Sequence, residues 1–121
     1  MLSQILPKSH YQTQYAFKGG QIVDAILQVG PNIIPIDAKF PLEGYYALRE
    51  AGDDNARKAA IAAFKQAVRK HLVDIGERYI VPGETADAAL MFVPSEAVYA
   101  EIHASLPDVV QESYRRRVFI T

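Results

Sequence analysis

The sequence predicts an α/β domain on a mixed sheet, with an N-terminal antiparallel meander followed by a helical crossover. Three observations predict it. Apolar and aromatic residues alternate with period two between Tyr11 and Lys39, broken at Gly19-Gly20 and Gly30-Pro31. From Leu42 the period turns helical and holds to Ile75. A continuous apolar run, Ala88 to Val93, comes next and reads as a strand buried on both faces. A long helix between two strands implies a parallel, right-handed connection.

Met1 to His10 carry no clear period. Tyr11, Thr13, Tyr15 and Phe17 stand two apart, as in a first strand. Lys18-Gly19-Gly20 is a turn signal, and Gln21 to Val29 reads as the second strand. Gly30-Pro31-Asn32 breaks it, and Ile33 to Lys39 reads as the third. Leu42 to Ala51 is a short helix closed by Gly52. Asp53 or Asp54 caps a longer helix that Gly76 is expected to stop near Ile75. Its apolar stripe is Ile61, Phe64, Val68, Leu72 and Ile75, all within about a quarter of the circumference. Arg78 to Asp87 is expected to be a loop. Ser95–Ser105 and Pro107–Arg116 read as short helices, and Val118 to Thr121 as a last strand.

The 121 residues fit a single domain, 1–121, and half of them are hydrophobic with 22% charged. Cysteine is absent, which excludes disulfides, thiolate nucleophiles and cysteine zinc sites. Thirteen Lys+Arg against fourteen Asp+Glu give a net charge of −1. A polyanion would therefore have to meet a local patch rather than a basic molecule. No run of about 20 apolar residues and no basic-then-apolar leader occurs, so a cytoplasmic location is expected. The chain stops within an apolar strand, so we expect a domain truncated at both ends. Such a fragment is expected to form a homo-oligomer or strand-swapped dimer.

Asp37 and Lys39 stand two apart at the C-terminal edge of the third strand, about 7 Å apart on one face. In α/β folds that edge is where ligands bind. A two-residue hairpin turn at Gly30-Pro31 pairs position 24 with 37, and one at Pro31-Asn32 pairs 24 with 39. Either puts Asp24 on the same face, whereas a one-residue slip would not. Two carboxylates beside an ammonium can hold Mg²⁺ or Mn²⁺ and steer a water at a phosphoryl group. The same spacing also fits a plain surface ion pair contributing at most about 1 kcal/mol.

Other residues have two readings each. Lys58, Lys65 and Arg69 fall within about 40° on the long helix, as a phosphate-tracking stripe or a solvated face. Arg115 and Arg116, with Arg117, form a basic cluster beside Tyr114 with the same two readings. Glu96 follows a buried strand and either serves a site or caps a helix. His71, at the edge of the apolar stripe, reads as a core or boundary histidine. The sequence contains no P-loop, nucleophile elbow, dinucleotide fingerprint or H-x-x-x-H spacing.

Tyr11-Gln12-Thr13-Gln14, Val23-Asp24, Ile36-Asp37-Ala38-Lys39 and Tyr45 together resemble the RmuC family of bacterial DNA-recombination proteins. The likeness runs on through Val68-Arg69-Lys70-His71, Leu90 to Glu96 and Arg117 to Thr121. It implies a restriction-endonuclease-like PD-(D/E)xK fold, DNA as partner and a Mg²⁺- or Mn²⁺-dependent phosphodiester hydrolase. By position it implies Asp24 and Asp37 as metal ligands and Lys39 as the helper of the attacking water. Val23 stands where the nuclease group has proline. Residues 1–23 contain no Asp or Glu to match the acid that many nucleases of this group supply early. Gln12 and Gln14 are the accessory candidates there, able to contact a metal-bound water but without charge. The rival expectation is a DNA-binding or scaffolding module that keeps the fold without turnover.

Overall fold

The computed structural model describes residues 11–121, so Met1 to His10 lie outside the described residues. Five strands form one mixed sheet in chain order: β1 (Tyr11–Ala16), β2 (Ile22–Val29), β3 (Asn32–Asp37), β4 (Ala89–Met91) and β5 (Val118–Ile120). The first three are antiparallel, and β3, β4 and β5 run parallel. Among the described residues, four helices fill the connections: α1 (Glu43–Glu50), α2 (Asp54–Tyr79), α3 (Glu96–Ser105) and α4 (Pro107–Arg116). Among the described residues, no helix is long and apolar enough to cross a membrane.

The β2–β3 hairpin turns on Gly30-Pro31. Gly30 takes φ +58°, the glycine position of a two-residue turn, and Pro31 tolerates only negative φ. Val29 then pairs with Asn32 and Ala25 with Ile36, which carries Asp24 to the level of Asp37. Gln28 closes the turn by donating from Nε2 to the carbonyls of Gly30 and Asn32 at 2.9 and 3.2 Å.

Asp53 is the cap of α2, its carboxylate accepting the Ala56 N–H at 2.7 Å. Phe64, Val68, Leu72 and Ile75 are buried along its stripe, as their spacing predicts, and Tyr79 extends it. The helix does not stop at Gly76, and Arg78 and Tyr79 are helical rather than loop. Gly76 lies against Val118, so the small residue serves packing of helix on sheet and the extra turn buries Tyr79. Tyr79 stacks on Phe17 with ring centroids 5.8 Å apart, tying the first hairpin to the end of α2.

Strand β4 is shorter than its apolar run and is buried at Ala89 and Met91, while Leu90 between them is only partly covered. Both-face burial is therefore not complete there. Helix α2 packs on α1, α4, β4 and β5, and α4 also packs on β5. Both helices thus lie on one side of the sheet. Their shared core joins Phe64, Leu72, Met91, Ile102, Val109 and Val118, among others. Each such side chain contributes about 1.5–3 kcal/mol by leaving water.

Candidate functional site

Three polar side chains meet where β3 ends. The chain leaves β3 at Asp37 and belongs to no strand or helix from Ala38 to Pro41 before α1 begins, so two successive backbone N–H groups are free of the ladder. The two carboxylates take them. Asp24 Oδ2 accepts the Ala38 N–H at 2.8 Å, and Asp37 Oδ1 accepts the Lys39 N–H at 3.0 Å. Lys39 Nζ then donates to Asp24 Oδ1 at 2.6 Å. Asp24, Asp37 and Lys39 therefore come together, as the hairpin register predicts.

Their surroundings differ. Asp37 is buried at 4% exposure, whereas the Lys39 side chain is 66% exposed. Burial pushes the Asp24 carboxyl up, but the Lys39 ammonium and the Ala38 N–H outweigh it, and its pKa lies below the ordinary carboxylate value. The hydrogen bond to Asp24, with the charges of both aspartates, raises the Lys39 pKa despite partial burial. Lys39 is held as an ammonium, a donor and a positive charge rather than a base. His71 reaches the group from α2, its Nε2 lying 3.1 Å from Asp37 Oδ1.

The donors suit a hard divalent ion, since both are carboxylates and Asp37 Oδ2 has no partner among the described residues. No three His, Asp or Glu side chains among the described residues form a metal cage. Two carboxylates with waters completing the shell is the arrangement Mg²⁺ usually accepts, so the residues fit that ion.

The remaining candidates lie elsewhere or are engaged. Gln14 stands opposite Asp24 in the β1–β2 register, between the pairs Thr13–Ala25 and Tyr15–Val23, and takes a left-handed φ of 52°. Such a backbone costs a non-glycine residue about 1–2 kcal/mol. Gln12 pairs with Ile26, and both glutamines are exposed, with no side-chain bond to Asp24. Glu96 is exposed in the first turn of α3, and Ser95 rather than Glu96 caps that helix by accepting the Val98 N–H.

Much of the predicted basic stripe is paired with α4. Lys65 bonds Asp108, and Arg69 Nε donates to Glu112 Oε1 at 2.7 Å. Arg116 Nε donates to the other oxygen, Oε2, also at 2.7 Å. Glu112 is a buried acid bridging two arginines, and Arg116 with Arg69 holds its pKa below the ordinary value against burial. Lys58 and Arg115 are exposed and form no ion pair among the described residues. Sequence reasoning missed His71 as a neighbour of the acids, and Asp108 and Glu112 as partners of the stripe. The only signal was spacing: Lys65 and Arg69 match Asp108 and Glu112 in both being four apart.

Comparison with known proteins places the chain in a family. The RmuC family description matches residues 1–121, the whole length. The chain belongs to the RmuC family. A DNA recombination protein RmuC homolog from Xylella fastidiosa strain Temecula1 is 33% identical over 132 aligned positions, covering 94% of this chain and 29% of that protein. A protein of the same description from Pseudomonas aeruginosa strain PAO1 is 25% identical over 118 positions, covering 91% and 26%. This RmuC chain thus spans under a third of the length of the curated relatives it matches. No solved structure matches it.

Proposed function

We propose that this RmuC chain carries the hydrolytic site of a DNA-recombination protein, on a restriction-endonuclease-like fold, cutting phosphodiester bonds with Mg²⁺ or Mn²⁺. The observation that carries the reading is the convergence of Asp24, Asp37 and Lys39 on the two N–H groups after β3. Asp24 and Asp37 would hold the ion, which when bound supplies positive charge at the scissile phosphate and an acidified water. The Ala38 and Lys39 N–H groups fix the two carboxylates in direction. The Lys39 ammonium, raised in pKa by Asp24, stabilises the negative charge that builds on the phosphate and orients the attacking water by donating to it.

The test is cleavage of labelled single- and double-stranded DNA by the full-length protein in Mg²⁺, Mn²⁺ and chelator. Asp37→Asn should abolish turnover by removing ligand charge at constant shape. Lys39→Ala should abolish it while leaving metal affinity in place. Absence of cleavage with any divalent ion would sink the reading.

A second reading has its own observation. Among the described residues, no group of three His, Asp or Glu side chains is arranged to hold a metal ion. A domain that binds DNA without turnover fits that, and it would bind DNA equally well in chelator and with Asp37→Asn.

A further inference from the structure

We propose that His71 is a positioning residue for Asp37, so that the crossover helix aims the carboxylate that the sheet supplies. The contact stands by itself; its consequence for a metal rests on the function proposed above. His71 Nε2 is buried and has no formed hydrogen bond among the described residues, although Asp37 Oδ1 is only 3.1 Å away. The separation is that of a hydrogen bond while the direction is not, a misalignment common at sites that tighten when loaded. A buried ring nitrogen left without any partner is costly, and Oδ1 is the partner within reach.

The surroundings leave the ring little choice. The His71 side chain is 19% exposed and that of Asp37 is 5%. Val68, Leu72 and Ile75, which flank His71 on α2, are fully buried in the core, so the helix cannot rotate to withdraw it. Oδ1 is held by the Lys39 N–H along the chain, and the imidazole from α2 stands 3.1 Å from the same oxygen, placed to complete a second hold. Contacts on both sides of Oδ1 restrict the Asp37 side chain to one χ1 rotamer and leave Oδ2 as its open oxygen. Beyond the ring, His71 lines a cleft of about 430 Å³ together with Lys39, Phe40 and Lys70. Groups that hold a metal-binding side chain in this way commonly change metal affinity by about 10- to 100-fold when removed.

The test uses the full chain with His71→Ala, His71→Gln and His71→Asn. Glutamine places an amide nitrogen near the Nε2 position, and asparagine reaches only to the Nδ1 position. Without metal, three-bond couplings to the Asp37 Cγ should report one side-chain rotamer in the parent and in His71→Gln. They should report rotamer averaging in His71→Ala and His71→Asn. Mn²⁺ titration should show about 10-fold weaker binding for those two variants, with glutamine restoring the parent value. Unchanged Asp37 couplings in His71→Ala would overturn the proposal. Should alanine fail to fold, equal couplings in the glutamine and asparagine variants would overturn it equally. Couplings that respond while the parent protein binds no Mn²⁺ would leave His71 in its role and defeat the metal reading instead.

Discussion

Asp24 does two jobs with one carboxylate, holding the Ala38 N–H and the Lys39 ammonium, and this makes stability depend on pH in a defined way. Its folded pKa lies below the unfolded value of about 3.9. Its contribution is therefore complete above that value and is lost as pH falls through the lower folded one. Lys39 is the mirror case. Its raised pKa gives a contribution that is complete below about 10.4 and lost as pH climbs through the higher folded value. Asp24→Asn should flatten both limbs of the stability curve, read by urea unfolding at about pH 3, 7 and 11. At neutral pH the loss should stay within about 1 kcal/mol, because solvent screens the exposed Lys39. The convergence of these two residues was legible because a two-residue turn and a period of two leave few registers. The contact of His71 with Asp37 was not, since it depends on how a helix crosses a strand 34 residues earlier in the chain.

The helices show where sequence rules yield to packing. Gly44 lies in α1 where an added Cβ would meet Phe64 Cα and Cδ1 at 3.0 Å, so the close approach of α1 to α2 requires a glycine. Gly44→Ala should cost about 1–3 kcal/mol in denaturant unfolding, by forcing apart helices whose contact includes the buried Phe64. Gly76 was expected to end α2, because a helix-breaking propensity of about 1 kcal/mol is what the sequence displays. The burial of Tyr79 in the next turn outweighs that propensity. The clamp between α2 and α4 is set by Glu112. Glu112→Gln keeps the shape but removes the charge that both Arg69 and Arg116 meet. It should lower stability by about 1 kcal/mol at neutral pH, and the difference from the parent should vanish in acid once Glu112 is protonated.

Across the whole molecule the charge is nearly balanced, and the pairing of Lys65, Arg69 and Arg116 takes most of the expected basic patch out of play. The stripe was legible as a shared helical face. Its partners were not, because α4 reaches it only through the fold. If DNA binds this surface, Lys58 and Arg115, exposed and without an ion pair among the described residues, should carry the salt dependence. Changing both to glutamine should reduce the slope of log affinity against log salt by at most about two units, with the melting temperature unchanged. Changing Lys65 and Arg69 to glutamine should instead lower the melting temperature and move the slope less. Calorimetric melting and binding titrations at several salt concentrations separate the two outcomes.

The order of strands in the sheet is also the order of strands in the chain. During synthesis, then, each new strand is added to the open edge left by the one before, and none has to be threaded between two already in place. Asp24, Asp37 and the two N–H groups that hold them all lie between residues 24 and 39, and they can be assembled as soon as the β2–β3 hairpin closes. His71 leaves the ribosome later, with the helix that brings its imidazole to Asp37. The cradle is thus completed in two instalments, and an arrested nascent chain ending before α2 should already pair β2 with β3 yet leave the Asp37 side chain free to turn.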